Sequence, residues 1–297
     1  MIRKRISMYN ANTKSFLNDF FNFLKKPNDQ QIHLSTKNRF SLIFKLLILE
    51  LLFTLIIVLP INYLIDEFVM IKTPSLDYRF NTIYAIILLM VLIVPFLEEI
   101  MFRSILRYNS IFSKWIDREK WNRYFPYLVY AMSIAFGLVH ASNYYNDSLT
   151  FYILSPLILL SQLSGGFVLS YIRVRINFYY GFIYHALWNL MAALIIPSIV
   201  LLFSSPIVDH SKNYSLEIDE KILFKQSEIQ SISLKIENNK IYKIDAEQLY
   251  LQDILNQIYG EEKCYVDEYL IDMNFSSKQG VTKEEFKKIL EKEYDIE

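Results

Sequence analysis

Three groups of polar residues lie inside long apolar stretches of this 297-residue chain, and their types and spacing suit proton transfer. The first is Pro95-Phe96-Leu97-Glu98-Glu99-Ile100-Met101-Phe102-Arg103, where two carboxylates follow an almost uninterrupted apolar run over 83–97. The second is Phe136-Gly137-Leu138-Val139-His140, and the third is His185-Ala186-Leu187-Trp188-Asn189. An ionisable residue deep in a membrane span costs about 2.5–3.5 kcal/mol, so each is a functional candidate by default. On a helix Glu99 and Arg103 are four apart on one face and can pair, with the acid on the N-terminal side. Glu98 then points about 100° away. It is free to face a water and to take and return a proton. Phe136 and His140 share a face, so the ring can support the imidazole. His185 and Asn189 share a face too, and both can enter one cavity.

Taken singly, each group also has a plain structural reading. Glu98-Glu99 reads equally as the interfacial end of a span with charges reaching toward headgroups. A lone histidine at a span end is more often a satisfied structural group than a catalyst. Interhelical hydrogen bonding, worth roughly 0.6 kcal/mol on average, explains one polar residue in the third group better than two aligned ones. Glycine placement favours a common cavity. Four of the six glycines (Gly137, Gly165, Gly166 and Gly181) fall within the stretch from the second group to the third, and Ser161 with Gly165 makes a small-xxx-small pair. Small residues let membrane helices approach closely.

The elements that must position these residues are membrane helices. The chain is 53% hydrophobic with a mean hydropathy of +0.20, and its apolar residues concentrate between Phe40 and Phe203. Spanning roughly 30 Å of hydrocarbon takes about 20 helical residues, and five segments qualify: about 40–65, 82–107, 125–141, 149–172 and 177–203. Pro95 should kink or restart the second just before the acidic pair. The tail 1–39 is basic: the first 45 residues hold nine Lys or Arg (Arg3 to Lys45) against Asp19 and Asp29. The loop 108–124 and Arg173/Arg175 are basic too, whereas Asp66, Glu67, Asp77 and Asp147 mark the opposite loops. Basic loops mark the cytoplasmic side. The N-terminus is therefore expected in the cytoplasm and, with five spans, the C-terminus outside. Phe16, Phe20 and Phe23 are at helical spacing in the tail. They suit either an amphipathic segment on an anionic membrane face or one short cytoplasmic helix.

Other classes are disfavoured. Lys plus Arg equals Asp plus Glu at 31 each, which argues neither for nor against nucleic acid; no nucleic-acid partner is expected. The single cysteine, Cys264, rules out an internal disulfide and any cysteine-based metal cluster. No cleavable signal peptide is legible in the first 30 residues. From about Ser204 the pattern becomes that of a soluble α+β appendage over 204–297. Ile232, Leu234 and Ile236 alternate, Asn238-Asn239 reads as a hairpin turn, 246–259 has helical spacing, and Thr282 with Glu285 forms a capping box. The fold class expected is an all-α polytopic membrane helix bundle over 40–203, its catalytic core about 80–200, with this small appendage.

Glu-Glu-x-x-x-Arg at 98–103, Phe-x-x-x-His at 136–140 and His-x-x-x-Asn at 185–189 together resemble the three motifs of the CPBP family. These are the CaaX-type prenyl endopeptidases and bacteriocin-processing (Abi) proteins. The stretch from Gly166 to Arg175 and Gly181 through His185 are similar as well, so the resemblance covers roughly 80–200. It implies a glutamate-type intramembrane protease. Glu98 would activate a water with help from His140, and His185 and Asn189 would position the scissile carbonyl and stabilise its oxyanion. Glu99 and Arg103 would shape the site. Ser104 stands where the family has a glycine. The family was long described as metalloproteases. No His-Glu-x-x-His helix is present here, so no metal or other cofactor is expected, with an unconventional zinc site of two His and two Glu as the alternative. The expected partners are the lipid bilayer and a peptide or membrane-protein substrate, and the expected location is a bacterial inner or plasma membrane. The rival readings are a non-catalytic membrane immunity or partner-binding protein, and a proton-relay transporter, which would want paired repeats with broken helices.

Overall fold

A computed structural model describes residues 13–297 apart from 67, 70, 74–77 and 262. The first part of the basic tail, with Arg3 to Arg5, and the loop acids Glu67 and Asp77 thus lie outside the described residues. In chain order the helices are α1 (Thr13–Lys25), α2 (Thr36–Asp66), α3 (Ile83–Arg103), α4 (Arg118–Asn143), α5 (Leu149–Ile158), α6 (Leu160–Arg175) and α7 (Phe178–Phe203). Among the described residues, four of these are long and apolar enough to cross a membrane: α2, α3, α4 and α7. The α5–α6 pair, bent by 45°, makes five if it counts as one span. The chain is a membrane protein, mostly helical, with a small antiparallel sheet toward its C-terminus.

Prolines shape the spans. The segments Thr54–Val58, Ile86–Ile93 and Met191–Ile195 are wound as π-helix, and each is followed within two residues by Pro60, Pro95 or Pro197. A proline lacks an N–H and its ring clashes with the carbonyl four residues back. A wider turn just ahead of it accommodates both defects. In α3 the tight helix resumes at Val94, so Pro95 sits in its first turn and the acidic pair follows on regular α-geometry.

Packing separates the chain into two units, one running to Ile71 together with Val91–Asn189, the other Lys72–Met90 with Leu190–Glu297. The first is the helical unit. Within it α6 is buried over most of its second half, from Val168 to Ile172. Helix α4 meets α6 so closely that a Cβ on Gly166 would stand 2.5 Å from the Ser133 carbonyl oxygen. The Ser133 hydroxyl lies 3.1 Å from the Gly166 carbonyl and 2.9 Å from Ser170 Oγ. Helix α1 buries Phe16, Phe20 and Phe23 in this core, with Phe20 and Phe23 edge-on to Tyr171. Arg175 donates to Asp19 across 2.9 Å. The apolar stripe of the tail therefore packs on protein, which leaves no such stripe for a membrane face.

The second unit is a five-stranded antiparallel sheet of order β1-β2-β5-β4-β3. Its strands are β1 (Ile207–His210), β2 (Tyr214–Lys221), β3 (Ser231–Glu237), β4 (Lys240–Tyr250) and β5 (Leu270–Thr282). Asn238 and Asn239 both take positive φ, 50° and 61°, as a type I′ hairpin requires. Helix α8 (Leu251–Tyr259) starts later than its spacing suggested, because Ala246 still pairs with Met273 in the ladder. Helix α9 (Lys283–Leu290) opens on the Thr282–Glu285 capping box. Leu255, Phe275 and Phe286 are enclosed in one core.

The loop before α3 belongs to this sheet unit. The Tyr78 ring stacks on Tyr250 at 4.6 Å, and its hydroxyl donates to Asp253 at 2.5 Å while accepting from the Tyr250 backbone N–H at 2.9 Å. Burial, with the Asp253 carboxylate beside it, pushes the Tyr78 phenol well above its ordinary value. It therefore stays a donor. Thr73 bonds Tyr265, Phe224 bonds the Asn81 carbonyl, and Lys72 pairs with Glu297 at 2.8 Å.

Candidate active site

Helix α3 presents its two glutamates in different surroundings. Glu99 and Arg103 are both fully buried, with Arg103 Nη1 3.5 Å from Glu99 Oε1. The guanidinium carbon lies 3.7 Å from the centre of the Phe136 ring. A desolvated cation over an aromatic face gains roughly 2 kcal/mol, so Phe136 serves as the second partner of Arg103. Glu98 points elsewhere and its side chain keeps 21% of its surface. One carboxylate is thus sealed and paired, and its neighbour reaches the open side of the cluster.

Glu98 faces two imidazoles. His185 Nε2 lies 3.3 Å from Glu98 Oε2, and His140 Nε2 lies 3.9 Å from Oε1. His140 Nδ1 is 2.7 Å from the Phe136 carbonyl oxygen. A carbonyl only accepts, so Nδ1 carries the proton and Nε2 is the nitrogen turned to Glu98. The 3.9 Å separation is too long for a direct hydrogen bond. It suits a water set to one side, about 2.8 Å from each atom.

His185 sits between both carboxylates, because its Nδ1 is 3.2 Å from Glu99 Oε1. Helical phase alone assigned Glu99 to Arg103 and left this second contact unseen. Phe136 packs against both rings, 4.9 Å from His140 and 5.6 Å from His185. Its place under Arg103 was also invisible to a reading that joined it only to His140. Gly181, one turn before His185, leaves the room Glu99 needs: a Cβ there would stand 3.0 Å from Glu99 Oε2. Asn189 is half-buried one turn beyond His185 on the same helix. Glu98, Glu99, Arg103, Phe136, His140 and His185 are therefore brought into one cluster, with Asn189 one helical turn away.

Two arginines tie the ends of the helices that frame this cluster. Arg173 Nε donates to the Arg103 carbonyl at 2.9 Å, and Arg107 returns a bond to the Arg173 carbonyl at 2.9 Å. Cations on terminal carbonyls are favourable at helix C-termini. Burial lowers the Arg107 guanidinium from its ordinary value.

Among the described residues, no group of three or more His, Cys, Asp or Glu side chains is arranged to hold a metal ion. Both ring nitrogens of His185 already face carboxylates, and His140 Nδ1 is held by a carbonyl.

What fold and site define is a membrane protein whose helices enclose a Glu/His cluster with an adjoining Glu–Arg pair. Residues 80–191 match the family model of type II CAAX prenyl endopeptidases, described as Rce1-like, which belongs to the CPBP group. The match spans all three motifs. No curated protein and no solved structure matches the chain.

Proposed function

We propose that the protein is an intramembrane endopeptidase in which Glu98 activates the hydrolytic water. The observation that carries this reading is the contrast between the partly open Glu98, facing both imidazoles, and the sealed Glu99. Glu98 takes a proton from a water lodged beside His140, and the water oxygen attacks the scissile carbonyl carbon. As Glu98 becomes neutral, His185 Nε2 is released from it to meet the oxyanion, with the Asn189 amide as a second donor. Glu98, assisted by His140, returns the proton to the leaving nitrogen as the C–N bond breaks. Glu99 orients His185 from behind, and Arg103 with Phe136 holds Glu99. The substrate class is a peptide or membrane-proximal chain terminus, of which a prenylated CaaX end is one form.

The test is cleavage by protein reconstituted in liposomes, with prenylated and unprenylated peptides as substrates. Wild type should cleave, while Glu98→Gln and His140→Ala should not. Survival of cleavage in both variants would sink the mechanism. Activity lost to a chelator and restored by zinc would support the metal version instead. A wild type that binds peptide without cutting it would favour the partner-binding reading.

Connectivity supports a five-span arrangement for the same reading. The loop around Tyr78 precedes α3, and the sheet follows α7, yet the two are bonded together in one unit. They must lie on one side of the membrane, so an even number of crossings separates them. With α3, α4 and α7 crossing, the bent pair α5–α6 must cross as well. Basic residues then put the N-terminus in the cytoplasm and the sheet outside. Ser211→Cys should react with an impermeant thiol reagent only from the outer side and Ser110→Cys only from the inner. Same-side labelling would refute the arrangement.

A further inference from the structure

Glu50 lies on α2, outside the 80–191 segment that carries the family motifs, and none of the chemistry above uses it. It is 4% exposed inside a membrane span. A carboxyl enclosed there is expensive unless its oxygens are satisfied. Both are. Oε2 accepts a hydrogen bond from the Tyr184 hydroxyl, and Ser164 Oγ lies 3.0 Å from Oε1. Gly165 leaves the space, since a Cβ at that position would come within 3.1 Å of Oε1. One turn along, Thr54 Oγ1 meets Ser161 Oγ at 3.4 Å. The small-xxx-small pair on α6 therefore admits α2, and the polar groups at that contact converge on one carboxyl.

Tyr184 is the residue immediately before His185. Neighbours on a helix point about 100° apart, so a bond that fixes the Tyr184 hydroxyl also fixes the rotation of α7 about its axis. A 10° rotation moves a side chain on a helix of about 10–12 Å diameter by roughly 1 Å. Displacement of that size at a reacting centre costs about 10²-fold in rate. His185 has its own contacts to both glutamates at 3.2 and 3.3 Å, which depend on that rotation. From this we infer that Glu50, acting through Tyr184, is a positioning residue for His185. The Glu50–Tyr184 bond sets the rotation of α7 and holds the imidazole between Glu98 and Glu99. The inference rests on the endopeptidase reading for its effect on rate, but not for its effect on the imidazole.

The experiment pairs kinetics with His185 imidazole NMR signals in detergent-solubilised, full-length protein. Tyr184→Phe and Glu50→Ala should each lower kcat by about 10- to 100-fold, with KM changed far less. The double variant should be no worse than the weaker single, since both remove one interaction. Glu50→Gln, which keeps an acceptor oxygen, should recover most of the rate. The His185 signals should move in Tyr184→Phe and stay in place in Ser170→Ala, which removes a buried hydroxyl from the α4–α6 contact. Tyr184→Phe and Glu50→Gln, both near-isosteric, carry the test if Glu50→Ala does not fold. Unmoved His185 signals with unchanged kcat, or losses that add in the double variant, would overturn the inference. If Glu98→Gln still cleaves while the His185 signals move in Tyr184→Phe, the endopeptidase reading fails and the positioning stands.

Discussion

In the helical unit, Glu50, Glu99, Arg103, Arg175 and His185 are all buried, whereas the buried polar residues of the sheet unit among those described are Asn81, Thr82 and Gln248. None of the latter three ionises. The sheet unit closes an ordinary apolar core around Phe275 and Phe286 and uses polar groups where chain geometry demands them, at caps, turns and the Gln248 bulge. The helical unit encloses ionisable groups and pairs each with a specific partner. Enclosing unpaired charge is costly in either setting, so its concentration in one unit points to where chemistry is done. The difference also separates two kinds of failure, one of turnover and one of folding.

The sharpest way to test that contrast is Glu98→Gln. Loss of a general base typically costs 10²–10⁴-fold, so kcat should fall by about that factor while thermal unfolding stays where it was. A parallel loss of stability would mean that Glu98 belongs to the structural pairs. Arg103→Met should do the opposite kind of damage. It removes the cation from a buried pair and leaves Glu99 facing only the His185 ring at 3.2 Å, and breaking a buried pair in this way typically destabilises by about 3–5 kcal/mol. Combining it with Glu99→Gln should recover much of that loss in an unfolding assay.

In the sheet unit, Tyr78→Phe removes a donor to Asp253 and an acceptor for the Tyr250 N–H. Unfolding of that unit should become easier by about 1–3 kcal/mol, with peptide cleavage unchanged. A fall in cleavage would break the separation between the units. The smallest effect is expected at the last helix, where Thr282→Ala removes an N-cap and should cost about 1 kcal/mol in denaturant melts. Glu285 accepts the Thr282 backbone N–H at 2.8 Å, and this bond holds its carboxyl below the usual range. Its stabilisation is full above the pH at which it titrates in the unfolded chain and is lost as pH falls through the lower folded value. Glu285→Gln should therefore flatten the acid limb of the stability curve.

Much of the fold was legible because its signals are local. The spans, the Asn238-Asn239 turn and the Thr282 capping box all rest on hydropathy, backbone preference or bonds within four residues. The start of α8 was misread because spacing within 246–259 cannot register that Ala246 is still held by a strand far away in sequence. The tail helix was undecided for the same reason: its phenylalanine stripe fits lipid or protein, and only Tyr171 and Arg175 decide between them.

Sequence by itself determined which residues could do chemistry, and helical phase was enough to pair Glu99 with Arg103 and to turn Glu98 elsewhere. Only the tertiary structure decided that His185 stands between both glutamates, that Phe136 lies under Arg103, and that Glu50 is anchored to Tyr184. The physical reason is range. Helical geometry fixes neighbours three and four residues apart, whereas these contacts join helices about 30 to 130 residues apart, whose spacing is set by glycines and hydroxyls that say nothing alone about which partner will come close.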